Sequence, residues 1–180
     1  MKKRVVFLFT ITFLNFSFAQ DLTHSQKKEW RKALKLMVED DQRYRVLMAE
    51  NTIYNNDSIW NLQSVSDSIN KSRFIQLTEK YGFPSLERIG NQNAVTLLLH
   101  FTLKNDFGEL LPLFQKELQK GNMPPFEFAV WFDRCMVNMQ LPNKYGVYGK
   151  KEFCPPELDD VNTSRIEIGL EKLNKGTDCE

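Results

Sequence analysis

The sequence is poor in the residues that build metal and redox sites. It has two histidines and three cysteines, and no two cysteines are close enough to form a Cys-x-x-Cys pair. Structural zinc sites need about four such ligands at short, regular spacings. We therefore expect no metal and no cofactor.

The sequence also lacks an excess of either charge and several well-known catalytic motifs. Its 24 Lys and Arg residues nearly balance 23 Asp and Glu residues, and no segment gathers the basic ones into a stripe. This pattern gives no basis for a nucleic-acid partner. There is no G-x-S-x-G motif of a serine hydrolase and no phosphate-binding P-loop.

Long apolar runs are missing except near the N-terminus. Lys2, Lys3 and Arg4 precede a short apolar run over 5–14, and Ala19 ends a small-x-small sequence. This order is typical of a secretory signal peptide. A membrane-spanning helix would need about 20 apolar residues. We predict a signal peptide over 1–19, cleaved after Ala19, a protein exported to the periplasm or beyond the cell, and no stable membrane insertion afterwards.

Export leads to an expectation for the cysteines, because disulfides form in oxidising compartments. Cys154 and Cys179 both lie in the polar C-terminal part, so we predict a disulfide between them. Cys135 lies inside an apolar segment and is expected to be a buried free thiol. The alternative, a Cys135 nucleophile with His100 as base, is disfavoured because apolar surroundings raise a thiol pKa.

Apolar residues recur with helical spacing through most of the chain, and convincing strand alternation is missing. We predict one all-α domain over 20–180, an orthogonal bundle of five or six helices with an irregular C-terminal tail that includes a loop over 142–157. The main helices are expected over 25–49, 58–81, 91–103, 111–121 and from residue 125 onward. Short helical pieces should follow Ser85 and the pair Asp159-Asp160.

Polar residues interrupt the inward faces of these helices. Asp41 occupies a core-facing position of the first helix, and Asp67 and Asn70 do so in the second. His100 and the pair Asp133-Arg134 lie within two helices that are apolar nearly all round. Because an unpaired buried charge is costly, these groups should meet one another or water, together with Arg43 or Arg45.

Such a cluster has a functional and a structural interpretation. In the functional one, His100 acts as acid or base with Asp41 or Asp133, and the binding residues are Arg43, Asp67, Asn70, Arg134 and Tyr145. The structural alternative is a polar network that ties the helices together. If exposed, Tyr145 and Tyr148 could stack on a sugar or peptide.

The order of the motifs also resembles a bacterial family of helical proteins that is catalogued as a domain of unknown function. The matching pieces are Asp41-Gln42-Arg43, Asp67 with Asn70, Tyr81-Gly82-Phe83-Pro84-Ser85, Gly90, His100, Gly121, Ala129, Asp133-Arg134, Tyr145-Gly146, and Arg165 with Gly169-Leu170. The chain departs from the family pattern at Phe83, where the family has tryptophan, and at Val147-Tyr148, where it has Thr-Gln. The resemblance implies that the polar residues belong to a recurring pattern, and it brings no reaction or ligand.

Three functions follow as hypotheses. The first is an exported protein that binds a small molecule or a protein partner through a polar cleft. The second is a hydrolase-like enzyme that uses His100 and Asp133. The third is a structural interaction module without a cleft.

Overall fold

The computed structural model describes residues 21–50, 57–90, 93–149 and 152–176. The predicted signal peptide and Cys179 lie outside these ranges. Within them the chain forms seven helices and no strand: α1 (His24–Glu50), α2 (Asp57–Tyr81), α3 (Leu86–Ile89), α4 (Asn93–Leu98), α5 (Lys104–Gln119), α6 (Pro125–Asn138) and α7 (Glu157–Glu167). The all-α prediction is confirmed, and the orthogonal arrangement stays a prediction.

Helix α1 is the element around which the N-terminal half is built. It packs against α2, α3 and α4. Trp30, Leu34 and Met37 follow one another at helical spacing and are completely buried, as the apolar periodicity predicts. Asp41 continues the same line and is buried as well.

Helix α4 is shorter than the predicted helix over 91–103, because it ends at Leu98. The next residues turn tightly: His100 N–H donates to the Leu97 carbonyl, and the Trp131 indole N–H donates to the Phe101 carbonyl at 2.8 Å. The Phe101 carbonyl is thereby held by a side chain of α6 instead of by a following helical turn. His100 therefore lies in a turn after α4 and not within a helix.

Helix α5 begins at Lys104, seven residues before the predicted start at Leu111. The Asp106 carboxylate accepts the Leu103 N–H at 3.1 Å, which stabilises the first turn. Pro112 was expected in that first turn but lies in the helix interior. Its ring removes one helical hydrogen bond, to the carbonyl of Gly108, and both residues are exposed, so water can solvate that carbonyl.

An aromatic network fills the centre of the protein. Phe74 of α2 contacts Trp30 of α1, and its ring also lies 6.3 Å from that of Phe114 of α5. Phe114 in turn meets the Trp131 ring of α6 edge to face, at 4.7 Å between ring centroids. The same side chains thus connect the four longest helices.

In the part of the chain described, no helix combines the length and the apolar character that crossing a membrane requires.

Two of the three cysteines fall within the described residues. Cys135 on α6 is free and completely buried, and burial raises the pKa of its thiol to about 12. Cys154 is disulfide-bonded. A thiol with such a high pKa is a poor nucleophile at neutral pH, so Cys135 does not suit a catalytic role.

Candidate functional site

The candidate site begins with Asp41, a carboxylate that is 1 % exposed on the inward face of α1. Its partners come from its own helix and from the turn after α4. Burial alone would raise the pKa of Asp41, but the hydrogen bond to His100 and the charges of His100 and Arg45 outweigh burial and lower the pKa. Asp41 is therefore a carboxylate anion inside the protein.

His100 meets this anion through its Nδ1 atom, which lies 2.7 Å from Asp41 Oδ1. Because an ionised carboxylate only accepts, the shared proton belongs to Nδ1. In the neutral imidazole, Nε2 then carries the lone pair. About a quarter of the His100 side chain is exposed, at 24 %, so the residue is open to water while its orientation is held from within.

Arg45 connects α1 to α2 at this position. Its Nε donates to Asp41 Oδ1 at 3.2 Å, and its Nη2 lies 2.9 Å and 3.0 Å from the two carboxylate oxygens of Asp67. The predicted residue Arg43 is not part of the cluster, because it points outward and pairs with Asp40. Helical geometry explains the difference: Arg45 is four residues from Asp41 and shares its face, whereas Arg43 is two residues away.

Gln63 on α2 carries the most unusual feature of the cluster. Its Nε2 donates to Asp67 Oδ1 at 2.6 Å, and the side chain is almost completely buried. Its Oε1 is a buried acceptor that has no hydrogen-bond partner within the described ranges. Leaving such an acceptor unpaired costs about 1–3 kcal/mol.

Asn70 has a different role from the one predicted. It is buried, and its Nδ2 donates to the Met37 carbonyl of α1 at 2.9 Å. Asn70 therefore fixes α2 against α1 next to the cluster and is not among the residues that line the cleft.

The cluster opens into a cleft of about 480 Å³. Charged and polar side chains line it together with apolar ones: Arg45, Trp60, Gln63, Ser64, Asp67, Ser68, Lys71, His100, Phe101, Leu103, Asn105 and Asp106. Lys71 and Asp106 of this lining belong to a second ion cluster, in which Lys71 Nζ lies 2.7 Å from both Asp106 and Glu109. The volume suits a small molecule.

The sequence holds a signal for this wall that was missed. Gln63, Asp67 and Lys71 recur every four residues along α2, so they form one polar stripe on the helix surface. Burial raises the pKa of Asp67 even though Arg45 and Gln63 both donate to its carboxylate. The spacing alone would have predicted the stripe, but not that it faces His100.

Asp133 is not brought to His100 by any hydrogen bond or ion pair in the described structure. It is completely buried, and its carboxylate accepts the backbone N–H groups of Lys144, Tyr145 and Val147 at 2.9–3.0 Å. Gly146 has a positive φ of 64°, which turns the chain so that amides on both sides of it reach one carboxylate. Asp133 is thus the anchor of a loop, and the predicted pairing of His100 with Asp41 is the one present.

Arg134 and Tyr145 also belong to this loop region. Arg134 Nη1 donates to the Tyr148 hydroxyl at 2.5 Å, and the guanidinium lies over the Tyr148 ring. Tyr145 is buried among Phe128 and Phe132, and burial raises the pKa of its hydroxyl to about 12. Tyr145 is therefore a core residue.

The described ranges contain no group of three or more His, Cys, Asp and Glu side chains arranged to hold a metal ion. Of the site residues predicted from sequence, Asp67 and His100 line one cleft, and Asp41 lies buried behind them in contact with His100. Comparison with known protein families, with curated proteins and with solved structures finds no match to this chain.

Proposed function

We propose that the protein binds a small polar ligand in the cleft between α1, α2 and the turn that carries His100. The observation that supports this proposal is the buried, unpartnered Oε1 of Gln63, a residue that lines a cavity of about 480 Å³. A purely structural network gains by satisfying every buried polar atom. A hydrogen-bond donor on a bound ligand would satisfy Gln63 Oε1.

The test is a screen of small polar metabolites by thermal shift, followed by calorimetric titration of each hit. Binding through the cleft should weaken at least tenfold in Gln63→Leu, because the variant loses both the acceptor and the amide that orients Asp67. Gln76→Leu is the matched control, since Gln76 is an exposed residue of the same helix outside the cleft. Hits that bind both variants equally, or a screen without hits, would contradict the proposal.

A second candidate is a hydrolase-like enzyme in which His100 acts as a general base. The contact that favours it is the 2.7 Å hydrogen bond between His100 Nδ1 and Asp41, because in the neutral imidazole it leaves Nε2 as the proton acceptor. Asp41 takes the orienting role that the sequence had also allowed for Asp133. Turnover of a cleft ligand that disappears in a folded His100→Ala variant would favour the enzyme over the binder.

Export is part of the same proposal and rests on the sequence over 1–19. The mass of the protein recovered from the periplasm or medium should correspond to a chain that begins at Gln20. A full-length chain that keeps Met1 and remains in the cytoplasm would contradict it.

A further inference from the structure

Resting on the proposed binding cleft, we propose that its ligand is a small organic ammonium ion. The inference uses the charge of the cleft wall, the hydrogen-bonding capacity that remains there, and the apolar residues at the rim. Each points to the same ligand chemistry.

The two ion clusters at the cleft contain more negative than positive groups. Asp67 and Asp106 line the cleft together with Arg45 and Lys71, and each of these cations also pairs with a carboxylate outside the lining, Asp41 or Glu109. Four carboxylates thus accompany two permanent cations, which is an excess of two negative charges with His100 neutral and of one with His100 protonated. The potential in a cleft with low-dielectric walls then favours a cationic ligand.

The two cations are not free to bind an anion. Arg45 donates to Asp41 and to both oxygens of Asp67, and Lys71 lies between Asp106 and Glu109. An anionic ligand would have to break these ion pairs and leave carboxylates uncompensated, which is costly for partly buried groups.

The hydrogen-bonding capacity that remains at the cleft is for accepting hydrogen bonds. Gln63 Oε1 has no partner within the described ranges, and the lone pair of neutral His100 is at Nε2. Ammonium groups carry only donors, up to three on one nitrogen, and therefore match such a wall.

Exposed apolar side chains at the rim of the cleft can contact the hydrocarbon part of such a ligand. Trp60 and Leu103 line the cleft and are 47 % and 68 % exposed. A short hydrocarbon chain attached to the ammonium group buries apolar surface against such residues, and an indole ring also attracts a cation.

The experiment compares three probes of one chain length: n-butylamine, which is cationic at neutral pH, 1-butanol and butyrate. Each is titrated into the purified ¹⁵N-labelled protein, and the amide shifts of Gln63, Asp67 and His100 are followed by NMR. Butylammonium should bind at the cleft at least tenfold more tightly than the alcohol or the acid. Its affinity should fall as NaCl is added.

Two variants distinguish binding of the cation at the cleft from its attraction to the overall charge of the protein. Asp67→Asn should weaken butylammonium binding about fivefold or more, because it removes a carboxylate that lines the cleft. Asp160→Asn makes the same change in net charge at an exposed site on α7 and should leave the affinity unchanged. Gln63→Leu, which removes no charge, gives a second variant if Asp67→Asn does not fold.

The outcomes distinguish the ligand class from the site. If butanol or butyrate shifts the cleft amides and butylammonium does not, the ammonium inference is overturned while the cleft remains a binding site. If Asp67→Asn and Asp160→Asn weaken binding equally, the cation responds to overall charge and the inference is also overturned. If no probe shifts these amides, the inference fails, and the metabolite screen decides separately whether the cleft binds anything.

Discussion

Two buried aspartates, Asp41 and Asp133, look alike in the sequence and have different tasks in the structure. Both interrupt apolar helix faces, and both are at most 1 % exposed. Asp41 is held by side chains that are themselves partly open to water, whereas Asp133 is held by three backbone amides of one loop. The first arrangement leaves groups for a ligand, and the second uses the whole carboxylate to fix the chain.

The role of Asp133 is tested by Asp133→Ala. The substitution leaves three backbone N–H groups without their acceptor in the protein interior, so we expect the free energy of unfolding to fall by about 3–5 kcal/mol. Urea denaturation followed by circular dichroism measures the change. Asp160→Ala, at an exposed position in the first turn of α7, should cost less than about 1 kcal/mol. Similar losses in the two variants would contradict the anchoring role.

At the level of single residues, the sequence predicted which groups are buried better than it predicted their partners. Helical periodicity placed Asp41 and Asn70 on inward faces correctly, because burial follows from the repeat of one helix. The partners of Asp133 lie 11 to 14 residues away in an irregular loop, and no repeat in the sequence encodes that contact. The choice between Arg43 and Arg45 could have been made from the spacing to Asp41 alone.

At the level of elements, the longest helices were predictable and the boundaries around residue 100 were not. Gly82 and Gly121 mark the ends of α2 and α5 with positive φ angles, as glycines after helices commonly do. The apolar residues over 99–103 continue the helical pattern, yet tertiary hydrogen bonds end α4 before them. The pattern of neighbouring residues cannot reveal that the Trp131 indole N–H donates to the carbonyl of Phe101, 30 residues earlier in the chain.

Pro112 makes helix α5 testable as an element. Proline in a helix interior costs up to about 3 kcal/mol relative to alanine, partly offset by its smaller unfolded-state entropy. Because Pro112 is exposed in α5, Pro112→Ala should raise the free energy of unfolding by about 1–2 kcal/mol, measured by urea denaturation. Pro142→Ala, outside the helices, serves as the control and should bring no gain. A Pro112→Ala protein that is no more stable than the natural one would argue against a helix continuous through this residue.

At the scale of the whole molecule, the ionisation of Glu127 makes the stability of the folded protein depend on pH. Burial, together with the nearby charge of Glu87, raises the pKa of Glu127 on α6 from 4.5 to about 7. Between these two values the folded protein holds a proton that the unfolded chain has released. The free energy of unfolding should therefore fall as the pH rises from about 4.5 to about 7, by roughly 2–3 kcal/mol from this group.

Glu127→Gln tests this dependence, because a neutral amide cannot ionise. The variant should match the natural protein near pH 4.5 and exceed it in thermal and urea stability near pH 8. Glu39→Gln, whose side chain is 54 % exposed on α1, is the control and should follow the pH profile of the natural protein. A profile of Glu127→Gln that keeps the natural slope would assign the dependence to other groups.

The resemblance to the family of unknown function stays a prediction. Its motifs fall in separate parts of the protein: Asp41, Asp67 and His100 belong to the polar cluster beside the cleft, whereas Asp133 and Tyr145 meet at the anchored loop. Motif order in a sequence therefore does not tell which residues share a site.

The loop that Asp133 anchors has a consequence for the rate at which its amides exchange with deuterated solvent. Lys144, Tyr145 and Val147 belong to no helix or strand, and amides in such segments commonly exchange fast. Here each of these amides donates to a completely buried carboxylate. Their deuterium uptake should therefore be as slow as that of the helix α6 beneath them, so that helix and loop open as one unit.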